Sequence, residues 1–229
     1  MTIRAVVLVA AAAALATSAA PAAPPPSNFS AIVDNPWFSL QPGTVFVYRG
    51  TKDGHASRDV VTVLHATKLI EGVPCVVVDD RLYLDGWLGE RTTDWYTQDK
   101  AGNVWYFGES TAELDRQGHV TSTEGTWQAG RNGAIPGIYM PARPTVGKSG
   151  RQEFYRGHAE DHFLVLDLHA SVSTTAASSH DALLTKEWTP LEPGVLDHKL
   201  YVRGVGLVVE QSIKGPVERA SLVSVRRGG

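Results

Sequence analysis

Apolar and polar residues alternate with a period of two through most of this chain, broken every eight to twelve residues by Gly-, Pro- or Asp-bearing turns. The clearest case is 90–109, a β-hairpin whose turn is Asp99-Lys100-Ala101-Gly102-Asn103 and whose arms carry Trp, Tyr, Phe and Thr. The same pattern predicts strands at 44–49, 58–67, 75–84, 87–98, 119–127, 152–156, 161–169, 196–203, 206–213 and 217–225. Lys52-Asp53-Gly54, Glu71-Gly72, Asp85-Gly86 and Gly215-Pro216 supply turns between them. No window carries a strong helical period; the best candidate, 176–184, is short. About ten to twelve strands at near-regular spacing indicate an all-β antiparallel meander. Twist and exposed edges make a sheet of that width curl, so the expected fold is a barrel or half-barrel of lipocalin-like size. Two irregular stretches interrupt it. Residues 128–144 are rich in Gly and Pro yet carry apolar side chains, as expected of a structured loop packing on, or covering, one barrel mouth, and 174–180 is polar.

The N-terminus has a different character. One Arg at position 4 precedes an unbroken apolar run, 5–16, and then small residues and Pro. This is the layout of a secretory signal peptide, assigned to 1–23, and the apolar run is too short to span a bilayer, which needs about 20 residues. A Pro/Ala-rich tether, 24–33, is expected to lead into one β domain, 34–229. Removal of the leader leaves 20 Lys+Arg against 24 Asp+Glu, a formal charge of −4. A weakly acidic chain without a basic cluster offers little to nucleic acid, and no further apolar stretch has membrane-spanning length. The mature product is therefore expected to be soluble, secreted or periplasmic. A single cysteine, Cys75, excludes an internal disulfide; it lies in the apolar run 73–78 and reads as a buried, unreactive thiol.

Candidate chemistry concentrates in acidic residues. On one strand Glu90, Thr92, Asp94, Tyr96 and Gln98 share a face, which either meets water or lines a polar interior. Glu109 closes the hairpin, and Glu153, Asp161 and Glu187 extend the carboxylate set, with Lys199 as counter-charge. Carboxylates gathered in a partly dry cavity act as acid and base, or bind a hard cation. Trp95, Trp105, Tyr106 and Trp127 are the expected apolar wall. His158 and His162 lie about 13 Å apart on a strand, too far for one ion, so no transition-metal site is expected. Ser178-Ser179-His180-Asp181 has hydrolase residue types, but adjacency in sequence is not a triad. Neither a nucleophile elbow, nor a phosphate loop, nor a dinucleotide fingerprint is present, so a nucleotide cofactor is not expected and any other cofactor stays unassigned.

Several segments together resemble a group of functionally uncharacterised exported bacterial proteins. They are Asp34-Asn35-Pro36, Glu90-x-Thr92-x-Asp94-Trp95-Tyr96, 102–109 (Gly-Asn-Val-Trp-Tyr-Phe-Gly-Glu), 136–142 (Pro-Gly-Ile-Tyr-Met-Pro-Ala), Ala159-Glu160-Asp161, 185–191 and Lys199-x-Tyr201-x-x-Gly204-Val205-Gly206. Similar proteins carry a Gly/Phe-bearing stretch where this chain has 173–179. The resemblance implies export and a single domain, and no reaction. Three functions fit these residues: binding of a small molecule or ion between sheet and loop, cofactor-independent hydrolysis or isomerisation by a carboxylate pair, and docking of a protein partner. Ligand identity and oligomeric state are left open.

Overall fold

The computed structural model describes residues 23–228, so the expected leader lies outside the described residues but for Ala23. One turn of 3₁₀ helix, Pro26–Asn28, precedes eighteen strands among these residues. The first group is β1 (Phe29–Ser30), β2 (Val33–Asn35), β3 (Phe38–Leu40), β4 (Val45–Lys52), β5 (His55–Ile70), β6 (Val73–Leu84), β7 (Trp87–Asp99) and β8 (Val104–Leu114). Short strands follow: β9 (Val120–Ser122), β10 (Trp127–Gln128), β11 (Ile135–Met140), β12 (Ser149–Arg151) and β13 (Glu153–Phe154). The last group is β14 (His162–Ser173), β15 (Ser178–Trp188), β16 (Leu196–Val202), β17 (Gly206–Lys214) and β18 (Glu218–Arg226).

Two antiparallel meanders, β4–β8 and β14–β18, meet where β18 pairs with β4. Two-residue turns set the register of the first. Asp53-Gly54, Glu71-Gly72 and Asp85-Gly86 hold positive φ at both positions, the turn whose twist matches flanking strands. The other edges converge on one short segment. Ser149–Arg151 pairs with β14, and two residues later Glu153–Phe154 pairs with β11, which itself pairs with β8. The sheet is thus a nearly closed antiparallel barrel, as the strand pattern indicates. Gly137 permits that seam, because a Cβ there would run into the Arg151 carbonyl.

Several expectations need correction. The stretch 24–33 is not a free tether beyond its first residues: Phe29 is buried edge-on against Trp105 and Phe107, with centroids 5.7 and 5.5 Å away. The β7–β8 hairpin is aromatic on both faces, so its outer face also has to be covered. Residues 128–144 do not form a lid, since β11 is part of the barrel wall. The expected strand 119–127 is split by a turn in which Thr126 N donates to Thr123 O (3.2 Å). The expected strand 152–156 shortens to β13, and 176–184, the best helical window, is mostly strand. Ala182 and Leu183 are fully buried there, and packing outweighs local propensity. The polar loop 174–180 shrinks to the β14–β15 turn.

The β2–β3 hairpin plugs the end of the barrel that carries the β7–β8 and β16–β17 turns. Asn35, 2% exposed, is its latch. Its Nδ2 donates to Gly102 O (2.9 Å) and Pro141 O (3.1 Å), while its Oδ1 accepts from Trp37 N (2.8 Å). Gln98 binds the same hairpin, with Oε1 accepting from Asp34 N and Asn35 N and Nε2 donating to Asp34 Oδ1. Gly204 N donates to Pro36 O (2.7 Å). Removing the Asn35 amide strands three backbone groups, two of them buried, so Asn35→Ala is expected to destabilise the fold by about 2–3 kcal/mol. Urea unfolding measures this; a loss within about 0.5 kcal/mol, ordinary for a surface change, contradicts the latch.

Candidate functional site

Pairing register carries one side chain after another into the barrel. Tyr48 lies opposite Asp59, Val61 opposite Asp80, and Asp80 opposite Thr92. Asp94 lies between Val78 on one side and Glu109 on the other. From the second meander, Ala220 faces Glu210, Glu210 faces Lys199, and Lys199 faces Thr185. Residues directly opposite share a face, so this chain of pairs is one inward belt, acidic on β5, β6, β7 and β17.

The belt surrounds open space. A cavity of about 200 Å³ has Phe38, Leu40, Phe46, Val61, Val78 and Leu207 as its apolar surface, with Phe38 and Leu40 coming from the plug. Its polar lining is Asp59, Asp80, Asp94, Lys199 and Glu210, and its tyrosines are Tyr48, Tyr96 and Tyr139. A second cavity, also about 200 Å³, shares Tyr48, Asp59, Asp80, Glu210 and Ala220 with the first and continues to Lys52, Glu90 and Glu218. These last residues sit by the β4–β5, β6–β7 and β17–β18 turns, at the end opposite the plug. The result is a funnel with a charged rim, a carboxyl waist and an apolar floor.

Charges in the funnel are met in two ways. Lys199 Nζ sits 3.0 Å from Glu187 and 3.3 Å from Glu210; burial opposes its charge, yet these carboxylates hold its pKa well above the usual value. Glu187 also accepts from Thr185 Oγ1 (3.0 Å) and Tyr201 hydroxyl (3.3 Å), so it is satisfied. At the rim Lys52 bridges Glu90 (3.8 Å) and Glu218 (3.7 Å). Asp59, Asp80 and Asp94 form no ion pair among the described residues. Burial, then the Asp59 charge, pushes Asp80 well above the ordinary carboxyl range, and burial raises Asp59 too. The two carboxyls are within hydrogen-bonding reach of one another, so each raises the cost of ionising the other. Burial raises Asp94 to about 7, offset in part by the Tyr106 hydroxyl, which donates to Oδ1 at 2.6 Å.

The residues expected from sequence divide accordingly. Asp94 and Lys199 line the inner cavity and Glu90 the rim. Thr92 is inward and donates to Thr111 Oγ1 (2.8 Å), supporting the wall. Glu187 belongs to the same belt but is used by Lys199. Glu109 and Glu153 do not line the funnel. Both are raised by burial first, Glu109 then by Asp94 and Glu153, and Glu153 to about 8 with a further contribution from Asp161. Both lie toward Trp127, whose ring stands 5.5 Å from Tyr106. Asp161 is exposed and stands outside the cavity lining. Trp95 and Trp105 are not its wall. Alternation turns both outward, where Trp95 carries Lys68 Nζ over its ring (3.1 Å) and Trp105 Nε1 donates to Asp99 Oδ2 (2.8 Å).

Sequence reading missed Asp59, Asp80, Glu210 and Tyr48. The available signal was phase: Asp59 shares the face of Val61 and Val63, and Asp80 that of Val78. The other candidates disperse. His158 Nδ1 contacts Glu124 (2.9 Å), His162 stacks on Trp188, His180 meets Ser171 and Asp181 meets His169. Among the described residues, no group of three or more His, Cys, Asp or Glu is arranged to hold a metal ion. Burial drives the Cys75 thiol up to about 12, which keeps it protonated and unreactive.

No protein-family model and no curated protein matches the chain. Two solved structures are similar in fold. One, from Bacteroides fragilis, is described as exported with a YmcC-like fold; it is 14% identical, with TM-score 0.49, over 83% of this chain and 99% of that one. The other, from Parabacteroides distasonis and described as a lipoprotein, is 13% identical with TM-score 0.43, over 83% of this chain and 98% of that one. No helix among the described residues is long and apolar enough to cross a membrane.

The raised carboxyls fix a pH dependence. A carboxyl whose folded pKa exceeds its unfolded value binds its proton more tightly when folded, and that stabilisation fades as pH rises through the folded pKa. For Asp94 the window runs from its ordinary value, 3.8, to about 7. Stability is therefore expected to fall across that window, by up to about 1.4 kcal/mol per pH unit for each such group, and Asp94→Asn to flatten the fall. Denaturant unfolding at a series of pH values tests this; stability rising steadily from acid to neutral contradicts it.

Proposed function

We propose that this protein is an exported solute-binding barrel that holds a small organic molecule in the funnel. The observation that carries the reading is a pair of connected cavities, about 200 Å³ each, with an apolar floor and inward carboxyls that lack cationic partners. Ligand sites commonly combine an apolar surface with a few convergent polar groups, and barrel mouths are a usual place for them. Export is supported by the leader pattern of 1–23 and agrees with the resemblance of the strand motifs to exported bacterial proteins. The ligand space differs from the sequence expectation: β4–β7 and β16–β18 line it, with the plug as its floor.

One observation favours a second reading, a cofactor-independent hydrolase or isomerase. The touching Asp59 and Asp80 carboxyls, raised by burial and facing open space, have the properties of a general acid and base. Binding is the stronger reading because Lys199 and Lys52 are already held by carboxylates around the same space, leaving the cavity free of an evident electrophilic group.

Filling the space separates a cavity site from a surface site. Ala220 lines both cavities, so Ala220→Leu is expected to abolish the thermal shift given by any small molecule that stabilises the wild-type protein, with an unchanged far-UV spectrum. Thermal-shift screening of both proteins against one metabolite library tests this. Equal shifts in both place the site elsewhere.

A further inference from the structure

We propose that the funnel selects an organic cation, with an ammonium group at the Asp59, Asp80 and Asp94 carboxyls and an apolar body toward Phe38, Leu40 and Phe46. This rests on the funnel being a ligand site and adds the chemical class. Three independent features lead to it.

The first is an imbalance of donors and acceptors. Asp94 is 8% exposed and lines the cavity; Oδ1 accepts from Tyr106, and Oδ2 has no hydrogen-bond partner among the described residues. Asp59 Oδ1 is fully buried without a donor. Tyr48 already donates to Leu207 O (3.1 Å), so it too offers lone pairs to the cavity. A lining of acceptors suits a guest made of donors, and an ammonium group has donors only. An anion meets acidic groups on β5, β6, β7 and β17 and two lysines that are already paired with carboxylates, and a neutral alcohol brings one donor where an ammonium brings up to three.

The second is aromatic surface. Tyr48, Tyr96, Tyr139, Phe38 and Phe46 share this lining with the carboxyls. Ring faces attract organic cations, more strongly where water is excluded, and the combination of rings and carboxylates is the usual chemistry of ammonium recognition. A bare metal ion gains little there: Ca²⁺ takes six to eight oxygens at about 2.3–2.6 Å, and no such cluster exists among the described residues.

The third is the division of charge along the funnel. The two lysines are each held between two carboxylates, Lys199 by Glu187 and Glu210 and Lys52 by Glu90 and Glu218. Both are thereby anchored away from the Asp59, Asp80 and Asp94 oxygens. Burial and mutual repulsion make these carboxyls bind protons more tightly than ordinary ones, and an entering ammonium competes with those protons, so cation binding is expected to release protons. The groups facing Asp59 and Asp80 set that exchange: Tyr48 and Lys52 from β4, Glu90, Asp94 and Tyr96 from β7, and, from the rest of the barrel, Tyr139, Lys199, Glu210 and Glu218. The carboxylates favour the cation, and the two lysines, already neutralised, oppose it only weakly.

Isothermal titration of the purified chain with benzylammonium, benzyl alcohol and benzoate tests the assignment, since the three differ chiefly in charge. Benzylammonium is expected to bind roughly tenfold or more tightly than benzyl alcohol, and benzoate to give no heat. Its affinity is expected to rise from about pH 6 to about pH 8, with a heat that depends on the buffer's ionisation enthalpy as released protons are taken up. Asp94→Asn and Asp59→Asn, nearly isosteric and expected to fold, are each expected to weaken benzylammonium far more than benzyl alcohol and so to remove most of the preference for the cation. Benzyl alcohol or benzoate binding as tightly as the cation, or a cation affinity unmoved by both substitutions, overturns the cation assignment and leaves the cavity site standing. No heat from the cation at millimolar concentration also overturns it. If Ala220→Leu binds all three as the wild type does, the cavity itself is excluded and both readings fall.

Discussion

A carboxylate carried inside a barrel has to find a cation or keep its proton. That constraint organises this protein more than any single apolar contact. Alternation along β5, β6, β7 and β17 delivers Asp59, Asp80, Asp94 and Glu210 to one interior, while β4 and β16 deliver Lys52 and Lys199. Lys199 can neutralise Glu187 and Glu210 because β15, β16 and β17 are neighbours in the sheet. Lys52 does the same at the rim because β18 and β4 join the two meanders there. What remains is the trio of aspartates on three consecutive strands, and with no cation in reach burial makes each of them hold its proton more tightly than an ordinary carboxyl. Folding therefore tolerates the belt at the expense of a stability that declines as pH rises from the acidic range to about 7.

The apolar contacts then decide the shape of the space. Tyr96 and Tyr106 stack at 4.7 Å, and Tyr139 lies edge-on to both, filling one side of the barrel. Tyr96 also meets Phe38 from the plug at 5.3 Å. Asn35 and Gln98 bind the plug to the β7–β8 hairpin, and Gly204 binds it to the β16–β17 turn. The floor of the cavity is thus fixed by side-chain and backbone hydrogen bonds to the plug, whereas the opposite end is bordered by long charged side chains.

Strand existence was legible in sequence because two-residue turns and alternation are local. Asp53-Gly54 and Asp85-Gly86 announce their turn type by composition alone. Curling into a barrel followed from strand number. The seam did not, since pairing of Ser149–Phe154 with strands on both sides is non-local, and neither Ile135–Met140 nor Ser178–Trp188 has a clean alternating pattern. The site was half legible. Asp94, Glu90 and Lys199 were found by phase within a strongly aromatic hairpin and by the search for a counter-charge. Asp59 and Asp80 stand next to Arg58, Asp79 and Arg81, so single strands read as solvated; only their cross-strand proximity identifies them as a pair. Trp95 and Trp105 misled for the converse reason: in a hairpin with aromatic residues on both faces, ring content does not say which face is inside.

The most direct test of this account reads the aspartate carboxyls themselves. Carbon-13 NMR titration of the side-chain carboxyls, assigned with Asp59→Asn, Asp80→Asn and Asp94→Asn, is predicted to show Asp94 titrating near 7 and a coupled titration of Asp59 and Asp80 displaced above the ordinary carboxyl range. If all three carbons titrate independently in the ordinary acidic range, the belt is hydrated and ionised, and neither the funnel site nor its preference for a cation survives.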